Sequence, residues 1–330
     1  MLQLDNAVGN QEDWANYITN VETRDTPIMS WLPVGTKPVN PEYKYQVDKW
    51  RDPRQNSHVD GEPWKEFKTA GENREELTSY IQWLDNTFSV SKLAQDVANN
   101  AAITDEIARE TPIALKEMAT DAEAAFGSDN DSREDNKVQG YLTRGMGEWI
   151  KATAQAHAPV PAGFRTPAAA IDTTATASVD EDDIRNVLQE MHVQSKSAED
   201  MDGFVGIGLK RRFADFPNYL PSSNSTQASG IVHEAMYNKE IMRQVDVYKT
   251  DAGTLRLHPH FWLAAFNPSA VVQQNRGYFL HRSRWELRWN QKPKVYRPEF
   301  KGGSYEVALD MILMLCAKNV RAEGKIAPTA

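Results

Sequence analysis

Residues 103–126, ITDEIARETPIALKEMATDAEAAF, are the stretch on which the reading of this chain turns. Apolar or small residues recur at Ile103, Ile107, Thr111, Leu115, Met118, Ala122 and Phe126. Steps of three and four mark one buried face of a helix. Ala114, Ala119 and Ala125 widen that stripe, and Asp105, Glu106, Arg109, Lys116, Glu117, Asp121 and Glu123 form the opposite, polar face. At ~1.5 Å rise per residue the segment makes a rod of about 35 Å. Thr104 is the expected N-cap, Asp105 and Glu106 lie near the positive end of the helix dipole, and Gly127 is the expected stop. Pro112 dissents, because proline inside a helix costs roughly 3 kcal/mol. A kink is expected there, or a second start with Thr111 as cap and Pro112 at the first helical position.

Upstream of the rod, residues 10–21 read as a short helix with Trp14, Tyr17, Ile18 and Val21 on one face. RDTPIMSWLPVGTKPVNP, from Arg24, is rich in proline yet carries Ile28, Met29, Trp31 and Leu32. An apolar, non-periodic arm of this kind needs a surface to lie on, its own or a neighbour's. Tyr43, Tyr45 and Val47 then alternate with polar residues as a half-exposed strand, and Leu77 to Val90 forms a second strand. Between them, Arg51 to Asn73 reads as a long loop. An apolar core for both faces of the resulting hairpin cannot be found inside one subunit.

Downstream, Trp149 and Ile150 of GYLTRGMGEWI are placed to dock on the rod. The Ala-, Pro- and Thr-rich stretch 152–177 reads as a linker or mobile crossing. Asp180 is the expected cap of a second helix through Met191, with Ile184, Val187, Leu188 and Met191 as its stripe. Residues 203–208 form a short strand running into a helix that starts around Lys210. Residues 220–230 read as a surface loop. VDVYKTDAGTLRL, from Val245, reads as a hairpin, with Val245 and Val247 facing Leu255 and Leu257. YFLHRSRWELRW and the period-two run Tyr305, Val307, Leu309, Met311, Leu313, Leu315 read as closing strands, the second half of the latter covered on both faces.

The chain of 330 residues is 40% hydrophobic and 25% charged, enough for a packed core. Its formal charge of -9 argues against a protein that coats nucleic acid. With one cysteine, Cys316, no internal disulfide can form. The first residues lack a signal-peptide pattern, and no run reaches the roughly 20 apolar residues of a membrane helix. A soluble protein that folds in cytoplasm is expected.

Chemistry-bearing motifs are scarce. His258 and His260 share a strand face, a spacing metal sites use, but no Asp, Glu or Cys stands at matching sequence distance. GFVGIGLKRR from Gly203 lacks the order of a phosphate-binding loop and reads as a tight strand-to-helix turn. No nucleophile or metalloprotease motif occurs, and Cys316 reads as a small core residue. No catalytic, cofactor-binding or metal-binding residue is assigned, and no cofactor is expected. Between Arg276 and Lys301, eight Lys or Arg residues stand against Glu286 and Glu299. This is either a solvated strand face or a basic edge that meets an acidic edge of another copy, such as residues 129–135.

Taken together and in order, DTPIMSWL from Asp25, YKYQVDKW, the DGE at Asp60, SYIQWLDNTFSVS, GYLTRGMGEWI, VDVYKTDAGTLRL and the closing strands resemble the major capsid proteins of tailed bacteriophages with the Hong Kong ninety-seven fold. Residues 128–136, 152–177 and 259–275 depart from the resemblance. It implies an α+β phage capsid fold, with an N-terminal arm (1–38), an extended hairpin loop (39–92), a spine helix with the first part of a peripheral domain (93–151), a linker (152–177), an axial domain (178–265) and closing strands of both domains (266–330). It implies a structural virion protein, not an enzyme, that builds hexamers and pentamers of an icosahedral head around double-stranded DNA and is assembled in the host cytoplasm. The implied partners are further copies of the chain, with scaffold, portal and decoration proteins as candidates and packaged DNA met non-specifically. No membrane is implied. Residues expected at inter-subunit contacts are Ile28, Met29, Trp31, Trp50, Trp64, Arg74, Arg284 and Arg288. The alternatives are an encapsulin-like cellular shell protein and, from a different class, a Trp-rich carbohydrate-active enzyme or binding module. On this reading, removing Met1 to Leu32 leaves a folded subunit that assembles poorly.

Overall fold

Helix formation at the central stretch follows the apolar stripe, with one correction at its start. In the computed structural model α3 spans Glu106–Gly127, after α1 (Pro27–Trp31) and the short α2 (Lys92–Asp96) and before the single turn α4 (Met146–Trp149). Asp105 caps α3: its Oδ1 accepts the Ala108 N–H at 2.9 Å. The helix runs unbroken through Pro112, so the expected restart at Thr111 does not occur. The Thr111 hydroxyl instead turns back onto the Ile107 carbonyl at 2.7 Å. Ala114, Met118, Ala122, Ala125 and Phe126 are buried as the stripe predicts. Glu123, assigned by the same periodicity to the polar face, is fully buried.

The structure describes residues 24–64, 67, 71–96, 105–174, 179–215, 246–250, 253–263, 275–296, 300 and 302–328. The helix expected at 10–21, Thr104, the loop expected at 220–230 and Val245 lie outside them. The chain divides into two units: Met1–Thr26, Leu84–Asp121 and Pro293–Met311 in the smaller, and Pro27–Trp83, Ala122–Lys292 and Ile312–Ala330 in the larger.

The larger unit is built on a six-stranded sheet of β4 (Ile171–Asp172), β5 (Met201–Val205), β6 (Val247–Thr250), β7 (Gly253–Pro259), β8 (Gly277–Leu280) and β11 (Gly324–Ile326), ordered β4-β11-β8-β5-β7-β6. Its core joins Ile184, Val187, Leu188 and Met191 of α5 (Glu181–Ser195) to Leu209 and Phe213 of α6 (Ile207–Asp215) and to sheet residues such as Leu255, Phe279 and Ile326. The N-terminus of α5 forms as expected: Asp180 and Asp183 exchange side-chain-to-backbone hydrogen bonds in a capping box. The β6–β7 hairpin forms one residue out of the expected register. Tyr248, not Val247, lies opposite Leu255 and packs on the core, edge-on to Phe213, while Val247 lies opposite Arg256 and is exposed. A shift of one residue exchanges strand faces, and the aromatic ring buries more apolar surface than valine does.

Residues 152–174 are not the expected linker. Pro161 and Pro167 each precede a single 3-10 turn, Val160 and Ala170 are buried, and β4 pairs in parallel with β11. The Thr166 hydroxyl donates to the Val320 carbonyl at 2.6 Å. Alanine and proline here permit close packing.

The long hairpin is also divided. β1 (Glu42–Asp48) pairs antiparallel with β2 (Arg74–Tyr80) from Glu42↔Tyr80 to Asp48↔Arg74. The second strand then breaks at Ile81, and β3 (Gln82–Ser91) joins β10 (Ser304–Ala317) and β9 (Trp285–Tyr296) in a three-stranded sheet ordered β3-β10-β9. In β10 Val307, Leu309, Met311 and Leu313 are buried while residues between them are half-buried, and from Leu313 to Ala317 every residue is buried. Within the smaller unit, Asn86 of β3 donates to the Ala114 carbonyl and the Glu117 carboxylate of α3 at 3.2 and 3.0 Å.

Candidate functional site

Two regions of the larger unit hold the residues that sequence singled out. The first is the arm segment 27–38. Glu123, on the last turns of α3, accepts the N–H groups of Ile28 (2.6 Å) and Met29 (2.9 Å), at the start of α1, and His260 Nε2 (2.8 Å). His260 Nδ1 accepts the Trp262 N–H at 3.0 Å, so Nε2 is the protonated nitrogen of a neutral ring and donates to the carboxylate. One turn further on, Trp31 Nε1 donates to Asp202 Oδ2 at 2.8 Å, and His258 Nε2 bonds Asp202 Oδ1 at 2.9 Å. Burial alone would raise the Asp202 pKa, but the His258 and Trp31 hydrogen bonds outweigh it and hold the carboxyl below its ordinary value. The Trp31 ring meets Phe204 edge-on at 5.1 Å, and Arg282 Nε donates to the Trp31 carbonyl at 2.8 Å. Gly35 N–H and Pro33 O then bond Leu287 of β9.

This latch corrects one expectation. Ile28 and Trp31, named as contacts with other subunits, are buried by their own chain, and Met29 is half-buried. His258 and His260 take separate carboxylates on distant segments, and no group of three metal-ligating side chains occurs among the described residues. Glu123 and Asp202 were missed because their partners are remote. The available signal was a carboxylate wedged among Ala122, Ala124 and Ala125, where only close packing is expected.

Four residues of the basic run, Arg276, Arg282, Arg284 and Arg288, are likewise engaged inside the subunit. Arg284 bonds the Ala322 carbonyl at 3.1 Å and pairs with Glu323 and Glu199, and Arg288 pairs with Glu286 at 2.8 Å and lies 4.2 Å over the Tyr43 ring. Burial pushes Glu323 above the usual carboxylate range despite His281 and Arg284 beside it. Asp129 and Asp131, expected on an acidic edge for another copy, pair with Arg276 and with Arg144. Lys325 donates to the Gly147 carbonyl, and burial holds its ammonium below the ordinary lysine pKa. Cys316 is buried as expected, its thiol pushed up to about 12 by desolvation.

The second region is the loop 49–73 between β1 and β2. Trp50 is 91% exposed, Trp64 75% and Phe67 87%, and Arg74 at the start of β2 is exposed. Large aromatic side chains exposed along one loop make it a candidate contact surface.

Compared with known families, the sequence matches the SU10 major capsid protein over residues 3–327. The chain belongs to this family. Its role is therefore that of a structural capsid protein. No curated protein matches it. Among solved structures it is similar to that of Mycobacterium phage Bobi (12% identity, TM-score 0.60, 97% of this chain and 96% of that one). It is also similar to the capsid of a native GTA particle (11%, TM-score 0.62, 99% and 98%) and to the capsid of Myoviridae phage XM1 (12%, TM-score 0.57, 96% and 97%). At these identities the likeness gives the fold, the capsid fold expected from the sequence. Neither the encapsulin-like nor the carbohydrate-module alternative is favoured. Among the described residues no helix is long and apolar enough to cross a membrane.

Proposed function

We propose that copies of this chain form hexamers and pentamers of an icosahedral head enclosing double-stranded DNA, assembled in the host cytoplasm. The observation that carries the reading is the contrast between a latched arm base and a hairpin loop whose Trp50 and Trp64 remain 91% and 75% exposed. In this arrangement α3 serves as the spine, the β1–β2 hairpin as the extended loop, and the six-stranded sheet with α5 and α6 as the axial domain. Met29, Trp50, Trp64 and Arg74 are the contacts we assign to neighbouring copies. Scaffold, portal and decoration proteins are the further partners this role calls for, and packaged DNA is met through its backbone without sequence preference. Electron microscopy of the purified protein, expressed alone and with its scaffold, tests the reading. Capsomers or closed shells are expected; a stable monomer under both conditions would overturn it.

A further inference from the structure

A cleft of about 870 Å³ opens between β1, the end of α5, the turn Ala162–Phe164 and the strands β9 and β10. That is a volume typical of small-molecule sites. Its wall carries two kinds of group. Tyr43 and Tyr45 stack at 5.6 Å, the Arg288 guanidinium lies 4.2 Å over the Tyr43 ring, and Phe164 adds a third, half-buried ring. Six Lys or Arg residues line the same space against two carboxylates, Asp48 and Glu286.

The cations form two sets. Arg288 and Lys318 share Glu286. Lys196 pairs with Asp52, in the loop that follows β1, and the charges of Lys49 and Arg321 act on the same carboxylate. The Lys196 hydrogen bond and charge, then Lys49 and Arg321, hold Asp52 below the ordinary carboxylate value. Arg321 is held in place by neutral acceptors: its Nε donates to Gln194 Oε1 at 2.7 Å and its Nη1 to the Gly163 carbonyl at 2.6 Å. Three cations thus converge on one carboxylate whose side chain is 72% exposed. In a chain of net charge -9 this is an anion site that the protein fills in part with its own loop.

Flat rings beside clustered cations suit a ligand with a flat ring at one end and several negative charges at the other. We propose that the cleft binds a nucleoside phosphate, its phosphates displacing Asp52 from Lys49, Lys196 and Arg321 and its base lying against Tyr43 and Phe164. Arginine and lysine supply the phosphate donors, and base–aromatic stacking supplies the preference for a nucleoside over a bare anion. A free nucleotide and a single nucleic-acid strand both offer this chemistry. A duplex does not, because its bases are paired and stacked out of reach.

Calorimetric titration of the purified full-length chain with dATP, inorganic triphosphate, a single-stranded dA oligonucleotide and its duplex tests the proposal. Saturable binding of dATP is expected, with triphosphate weaker by about fivefold or more. Phe164→Ala should remove most of that difference. Lys49→Glu with Lys196→Glu, both on exposed side chains, should weaken dATP binding by about tenfold or more. Asp52→Asn should instead tighten it by about threefold or more, because the internal competitor is gone. A loosened or misfolded variant would not bind more tightly, so this gain separates the site from a folding defect. Tighter binding of the oligonucleotide than of dATP assigns the site to a strand, and the reverse assigns it to a free nucleotide. No saturable binding, equal affinity for triphosphate and dATP, duplex bound as tightly as single strand, or an Asp52→Asn chain of unchanged affinity would each overturn the proposal. The titration needs no particle, so its failure leaves the shell reading intact.

Discussion

Trp31 and Trp64 stand in segments of similar composition, each proline-bounded and without periodicity, yet one is 9% exposed and the other 75%. The difference lies in what waits for each backbone. Segment 27–38 meets Glu123 and Asp202, whose carboxylates satisfy the donors at the start of α1 and on the Trp31 indole, and Phe204 supplies an apolar face. Residues 58–64 are held within the loop by the turn at Val59 and the His58 contact, and Trp64 is left in water. One tryptophan belongs to folding; the other is the one we assign to assembly.

The sharpest way to break this comparison is to delete Met1 to Leu32. Ile28, Trp31 and Leu32 leave the core, and at about 1.5–3 kcal/mol each their loss should cost on the order of 5 kcal/mol or more. Chemical denaturation of the unassembled subunit should therefore find it unfolded or nearly so, contrary to the outcome expected from sequence. Point substitutions separate the two tryptophans. Trp31→Ala should destabilise the subunit by about 3 to 5 kcal/mol in the same assay, whereas Trp64→Ala should shift its stability by less than about 0.5 kcal/mol and reduce particle yield instead. Equal effects of the two on subunit stability would erase the distinction.

Glu123→Gln sharpens the latch itself. An amide cannot accept from all three donors, and its NH2 faces one of them, so a loss of about 2 kcal/mol is expected from thermal or chemical unfolding. The smallest effect is one of pH. The Asp202 pKa is depressed in the folded chain, so its contribution is fully present above the ordinary value of 3.8 and is lost as pH falls through the folded-state value. Stability of Asp202→Asn should thus converge on that of the unsubstituted chain below pH 3.8, and a constant gap across that window would count against the role given to Asp202.

The parts legible in sequence were those with periodic burial or local hydrogen bonds. The α3 stripe, the Asp180 cap of α5 and the alternation of β10 each depend on residues within a few positions of one another, and each appears in the structure where local pattern placed it. Reading failed where a local pattern met a distant partner. Glu123 follows the polar face of α3 by spacing but serves Ile28 and His260 across 95 and 137 residues. Tyr248 displaced Val247 because the core, not the turn, chose the register.

By itself, then, the sequence determined α3, α5 and the strand β10, because propensity, capping and period are local properties, and it carried the capsid class through the resemblance of its ordered segments. Only the tertiary structure decided which apolar segment the subunit keeps. That choice depends on buried carboxylates finding donors from remote parts of the chain, and an unsatisfied buried charge costs too much for the packing to be otherwise.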